Sequence, residues 1–233
     1  MSDSSPATGT PPELAERVAG VESGIADAAR AAGRSRDEIT LIVVTKFHPV
    51  SLIRELHGLG LRDFGENRHQ EAREKAAELA ELDLAWHFVG QLQTKKARQA
   101  REYATVIHSV DRVALADQLA GGEHPLDVFV QVNLTDDPAR GGVPPAEAAA
   151  LAEHTAGLEG LHLLGVMAVA PLDEEPRRAF ARLRAISDEV RTVVPTARFI
   201  SAGMSHDYPE AIAEGATHLR VGTAITGNRP PRD

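Results

Sequence analysis

The sequence predicts an α/β fold: a single (β/α)8 TIM-type barrel with an extra N-terminal helix. Three observations carry this. Eight short apolar or β-branched runs alternate with segments of helical periodicity, which implies parallel strands joined by right-handed crossovers. The length of 233 residues suits one closed barrel. The turn after the first strand, Thr45-Lys46-Phe47-His48-Pro49, lacks the glycine-rich pattern that an open doubly wound sheet, the alternative architecture, usually shows there.

The elements follow in order. Over residues 12–32, Leu14, Val18, Val21, Ile25 and Ala29 recur at spacings of three and four, one helical face, and Gly33 is a stop. LIVVTK (41–46) is a continuous apolar run, as expected of a strand buried on both faces. A helix is expected over 51–59, a strand over 63–67, and a helix over 68–82, where strong helix formers dominate. Strands follow at 86–90, 106–110, 127–133, 161–169, 197–203 and 218–225. Helices between them are expected at 94–103, 112–119, 144–156, 174–194 and 209–214. Residues 1–11, rich in Ser, Thr and Pro, read as a disordered tail, 12–228 as the barrel, and 229–233 as a polar tail.

Composition narrows the function. A net charge of −9 argues against a general nucleic-acid or membrane binder, since both need a basic face. The absence of cysteine removes disulfides, thiolate nucleophiles and cysteine-based zinc sites. The N-terminal stretch has no basic region followed by an apolar run, so no signal peptide is expected. No run is long enough to span a membrane. A cytoplasmic monomer is the expectation.

In a barrel, chemistry sits where strands end. Lys46 ends the most apolar run. It either snorkels to solvent or sits in an apolar mouth, where the neutral amine that attacks aldehydes is favoured. After the seventh strand, SAGMSHDYPEAIAEGA (201–216) offers Gly203, Ser205 as a cap, and Asp207 with Glu210 at capping-box spacing. After the eighth, Gly222 and Thr223 offer amides and a hydroxyl. These two loops often bind phosphate in barrels; a capped helix and a barrel-closing glycine are the plainer reading. His87 reads as a packed strand histidine, and no HExxH pattern gives a metal signal. Ser109 and Asp111 would suit a hydrolase triad, but no GxSxG elbow accompanies them. The basic run QTKKARQAR (93–101) reads as a solvated helix face.

Together the strand ends resemble the pyridoxal phosphate (PLP) homeostasis protein family (YggS/PROSC). The resemblance rests on TK at 45–46, DFGEN at 63–67, WHFVGQLQTKK at 86–96, HSVDR at 108–112, QVN at 131–133, GVMAVAP at 165–171, SAGMSHDYPEAI at 201–212 and LRVGTAITG at 219–227. It implies the fold of the alanine racemase N-terminal barrel, with pyridoxal 5'-phosphate held as an imine on Lys46. It implies Arg220 at the pyridine nitrogen, and Ser201, Ser205, Gly222 and Thr223 at the phosphate. It implies Asn67, His87 and Met167 around the ring. The chain departs from the family pattern at VTKFHP around the lysine, at Arg140, at Ala202 in SAGMS and at Thr226 in ITG.

The same residues bear on activity. An electron-sink enzyme wants the pyridine nitrogen protonated, and an always-charged arginine cannot accept that proton. Racemisation would then need two bases. The racemase fold takes its second, a tyrosine, from a further domain, which this chain is not expected to have. The expectation is therefore a carrier that buffers PLP and passes it to apo PLP-dependent enzymes, with little turnover. The alternatives are an amino-acid racemase, or a phosphate-binding barrel without the imine.

Overall fold

The computed structural model describes residues 12–227. The expected tails at 1–11 and 229–233 lie outside the described residues. Eight parallel strands close into a barrel in sequence order, the first pairing with both the second and the eighth. They are β1 (Thr40–Val44), β2 (Asp63–Glu66), β3 (Ala85–Phe88), β4 (Val106–Val110), β5 (Leu126–Gln131), β6 (Leu161–Met167), β7 (Phe199–Ser201) and β8 (His218–Val221). The helices are α1 (Pro12–Ala31), α2 (Val50–Gly58), α3 (His69–Glu78), α4 (Ala97–Arg101), α5 (Val113–Leu119), α6 (Ala148–Ala156), α7 (Pro176–Val193), α8 (Tyr208–Ala213) and α9 (Thr223–Thr226).

The apolar periodicity decides which faces are buried. In α1, Leu14, Val18, Val21, Ile25 and Ala29 are all buried, and the helix packs beside α8 and α9. In α7, Phe180, Leu183, Ile186 and Val190 form the buried stripe. These faces and the outward side chains of the strands make the large core between barrel and helices. A smaller apolar cluster of Val106, Phe129, Leu164 and Met167 is separate from it and belongs to the barrel lumen.

The last two strands differ most from expectation. The eighth strand stops at Val221, and Thr223–Thr226 forms a helical turn instead of extending the strand. Gly222, at φ −112° and ψ −92°, breaks the extended path, and its carbonyl accepts from the amides of Ile225 and Thr226. The β-branched residues there favoured a strand by propensity, but local turn bonds and the Arg17 Nε bond to the Ile225 carbonyl (2.7 Å) prevail. Similarly, the seventh strand spans only Phe199–Ser201, because Gly203 turns away at φ +92°.

Candidate functional site

The C-terminal ends of β1, β2, β3, β6, β7 and β8 surround a cavity of about 350 Å³, walled by Val44, Val89, Gly90 and Val169 and by Lys46, Asn67, Met204, Ser205, His206, Arg220, Gly222 and Thr223. That volume lies within the range of about 300–1,000 Å³ usual for small-molecule sites. Six sequence-predicted residues meet here: Lys46, Asn67, Ser205, Arg220, Gly222 and Thr223.

Lys46 does not end a strand. β1 stops at Val44, and Lys46 is an exposed residue of the following turn. The turn is pinned from beneath by buried charges. Lys75 Nζ, only 6% exposed, spends its three donors on the Thr45 carbonyl (2.9 Å), Glu66 Oε1 (2.7 Å) and Glu71 Oε1 (2.8 Å). Glu66 Oε1 also accepts from Thr45 Oγ1 (2.7 Å), and Glu71 Oε1 accepts from the Phe47 amide. Phe47 is the one non-glycine with positive φ among the described residues, at 69°. Such a conformation costs of order 1–3 kcal/mol and persists only where its surroundings enforce it. The bonds to Thr45 and Phe47 grip the backbone on both sides of Lys46. Two acids share one ammonium here, and burial pushes the Glu66 carboxyl above its ordinary range against the pull of Lys75. Its Oε2 has no partner.

Across the cavity, the loops after β7 and β8 are stitched together. Ser205 Oγ accepts from the Ala224 amide (3.3 Å) and from Thr223 Oγ1 (3.4 Å). Asp207 does not cap α8; its carboxylate accepts from the Met204 amide instead, tightening the loop. Gly203 suits its φ of +92°, and its carbonyl accepts from the Arg220 amide (2.9 Å). On the other wall, a Cβ at Gly90 would lie 2.3 Å from the Asn67 carbonyl oxygen, so glycine lets these loops meet. Asn67 lines the cavity, and its Oδ1 is a buried acceptor without a partner.

Three predicted residues are not among the cavity's lining: His87, Met167 and Ser201. All are buried. Met167 belongs to the lumen cluster. Ser201 Oγ lies 2.8 Å from His108 Nδ1 and accepts from Arg220 Nη1 at 2.5 Å, so its hydroxyl stands behind Arg220. His87 bridges Asp63 Oδ1 (2.9 Å) and His108 Nε2 (3.0 Å). Arg220 is itself 5% exposed, with Nη2 donating to the Ala168 carbonyl at 2.9 Å. Burial pulls its guanidinium down to about 10, which leaves it a cation at neutral pH.

Sequence reasoning passed over Val44, Val89, Val169 and His206 of the cavity wall, and Lys75 and His108 behind it. Lys75 carried no signal, since it sits in a charged stretch that reads as a solvated helix. The hydrolase alternative finds no geometry: Ser109 Oγ is buried without a partner, and Asp111 pairs with Arg112.

Known proteins similar to this chain show its family. Residues 26–230 match the family model described as alanine racemase, N-terminal domain. A Pseudomonas aeruginosa protein named pyridoxal phosphate homeostasis protein is 43% identical over 223 residues, covering 93% of this chain and 96% of its own. This chain belongs to the pyridoxal phosphate homeostasis protein family. Among solved structures, PipY of Synechococcus elongatus with PLP bound is 37% identical with a TM-score of 0.78, over 92% of this chain and all of that one. Alanine racemase from Corynebacterium glutamicum, at 16% identity and a TM-score of 0.69 over 91% of this chain and 61% of that one, shares the fold. Among the described residues, no helix is long and apolar enough to cross a membrane.

Proposed function

We propose that this chain binds pyridoxal phosphate covalently through Lys46 and carries and buffers it in the cytoplasm for PLP-dependent enzymes, the barrel over 12–228 being the binding unit. The observation that supports this most is the meeting in one cavity of an amine, a buried guanidinium and a hydroxyl-lined pair of loops. Lys46 supplies the amine, Arg220 faces the pyridine nitrogen, and Ser205, Gly222 and Thr223 hold the phosphate. Asn67 meets the polar edge of the ring, while His87, Met167 and Ser201 support the pocket from the lumen. Bound PLP supplies an aldehyde that a lysine amine attacks reversibly, so the cofactor is both held and releasable. The relatives named for PLP homeostasis and the PLP-bound PipY structure support the same ligand.

A carrier, not a racemase, fits the residues around Lys46. Neither tyrosine lines the cavity: Tyr103 OH lies 3.4 Å from His69 Nδ1, and Tyr208 packs against the core beside α1. Arg220 offers no proton acceptor. Among the described residues lining the cavity, the rim histidine His206 is the one second base a racemase could recruit. Two assays on the loaded protein decide. A carrier restores activity to an apo PLP-dependent enzyme and exchanges no solvent deuterium into the α-carbon of alanine or serine. Exchange above background, lost in both Lys46→Ala and His206→Ala, would establish a racemase instead.

A further inference from the structure

The hydrogen bonds behind Arg220 form one continuous chain through the barrel. Arg220 Nη1 reaches Ser201 Oγ (2.5 Å), Ser201 Oγ reaches His108 Nδ1 (2.8 Å), His108 Nε2 reaches His87 Nδ1 (3.0 Å), and His87 Nε2 reaches Asp63 Oδ1 (2.9 Å). β4 and β7 are not neighbours in the barrel, so the His108–Ser201 bond crosses the lumen. Asp63 begins β2, at the end of the barrel opposite the cavity, and its side chain is 34% exposed. The chain thus runs from solvent at one mouth to Arg220 at the other. Between those ends, His87, His108 and Ser201 are 3%, 0% and 0% exposed.

With both imidazoles neutral, the carboxylate end sets the direction of every bond. A guanidinium only donates, and a carboxylate only accepts. Arg220 therefore donates to Ser201, and the serine hydroxyl hydrogen goes to His108 Nδ1. His108 then carries its proton on Nε2 and gives it to His87 Nδ1, and His87 gives its own Nε2 proton to Asp63. Each link satisfies the next with both imidazoles neutral, and no buried side-chain polar atom of these five residues lacks a partner. The ring of His108 is further fixed by stacking on Phe129, with centroids 4.7 Å apart and planes 21° from parallel. Arg220 makes no direct salt bridge among the described residues, so the carboxylate that answers it through hydrogen bonds is Asp63.

We propose that Asp63, His87, His108 and Ser201 form a one-directional hydrogen-bond relay that holds Arg220 in its cavity-facing position, which makes His108 and Ser201 positioning residues for the cofactor ring. This rests on the reading that the cavity takes PLP with its ring nitrogen at Arg220.

The test reads the relay and the cofactor separately. Two-bond proton–nitrogen correlation spectra of protein labelled on histidine nitrogen, with and without PLP at neutral pH, report each tautomer; His87→Asn and His108→Phe supply the assignments. The relay requires His87 and His108 to be neutral and protonated on Nε2. Protonation of His108 on Nδ1, or on both nitrogens, overturns it. Ser201→Ala is expected to weaken PLP binding about tenfold and to shift the absorbance band of the bound cofactor. His218→Phe, which alters a lumen imidazole outside the chain, is expected to change affinity less than about twofold. Should Ser201→Ala fold poorly, Asp63→Ala at the exposed end is read by the same tautomers, and unchanged His87 and His108 nitrogens there overturn the relay. Absence of a PLP adduct on Lys46 in the wild type would defeat the cofactor reading, while the tautomers still decide the relay.

Discussion

Two buried polar networks stand behind the cavity, and they solve the problem of burial in opposite ways. Beneath Lys46, between the barrel wall and α3, full charges are packed together: Lys75 with Glu66 and Glu71. Beneath Arg220, inside the lumen, neutral groups in series separate one cation from one carboxylate. The first network grips backbone and so fixes a turn. The second grips a side chain and so fixes a guanidinium. A buried ion cluster tolerates no missing partner, whereas a neutral relay tolerates no added proton.

The largest expected effect comes from breaking the ionic network. Lys75→Met leaves the buried Glu66 and the half-buried Glu71 without their cation, and denaturant unfolding should show a loss of about 3–5 kcal/mol. Adding Glu66→Gln and Glu71→Gln should recover part of it. A loss below about 1 kcal/mol in the single variant would mean that the cluster is solvated and does not hold the turn.

The networks should also differ in the sign of their pH dependence. Burial holds His108 well below its ordinary value and brings His218, which packs beside it, down to about 4. The folded state therefore binds fewer protons than the unfolded chain, and stability is lost as pH falls from about 6.5 toward 4. Each group contributes a slope of up to about 1.4 kcal/mol per pH unit. His218→Phe should flatten that limb. Glu66 is shifted upward, so its contribution is full below the ordinary carboxyl value and is lost as pH rises through the raised one. Glu66→Gln should flatten stability just above pH 4.5 and leave the histidine limb in place. Equal slopes in Glu66→Gln and wild type would contradict this assignment.

A smaller effect is expected at the rim. Ser205→Ala removes the hydroxyl that joins the two loops and, on the proposed reading, one phosphate contact. Affinity for PLP should fall about fivefold to tenfold in an absorbance titration, with stability changed by less than about 1 kcal/mol. A large stability loss with unchanged affinity would make Ser205 purely a loop residue.

The barrel was legible because its signals are periodic. The stripes of α1 and α7 and the β-branched runs repeat often enough to survive errors at their ends. The cavity was legible where function sits at or just beyond strand ends, as with Lys46, Asn67, Arg220 and Gly222. What lay behind it was not. Ser201 and Arg220 alternate with outward-facing residues, so the sequence gives their side but not their partner, and His108 meets Ser201 only because the barrel closes. Lys75 looked like any helical lysine, since nothing local distinguishes a residue that will lie over one buried and one half-buried acid. Residues 222–225 misled because Thr and Ile favour strands, while the turn depends on bonds back to Gly222 and forward from Arg17.

The central claim is that Lys46, alone among the lysines, bonds the cofactor. The direct measurement is borohydride reduction of the PLP-loaded protein followed by peptide mapping. The account predicts one phosphopyridoxyl adduct, on Lys46, absent in Lys46→Ala. A colourless protein with no adduct, or adducts scattered over surface lysines, would contradict it and leave a barrel that binds phosphate without the covalent link.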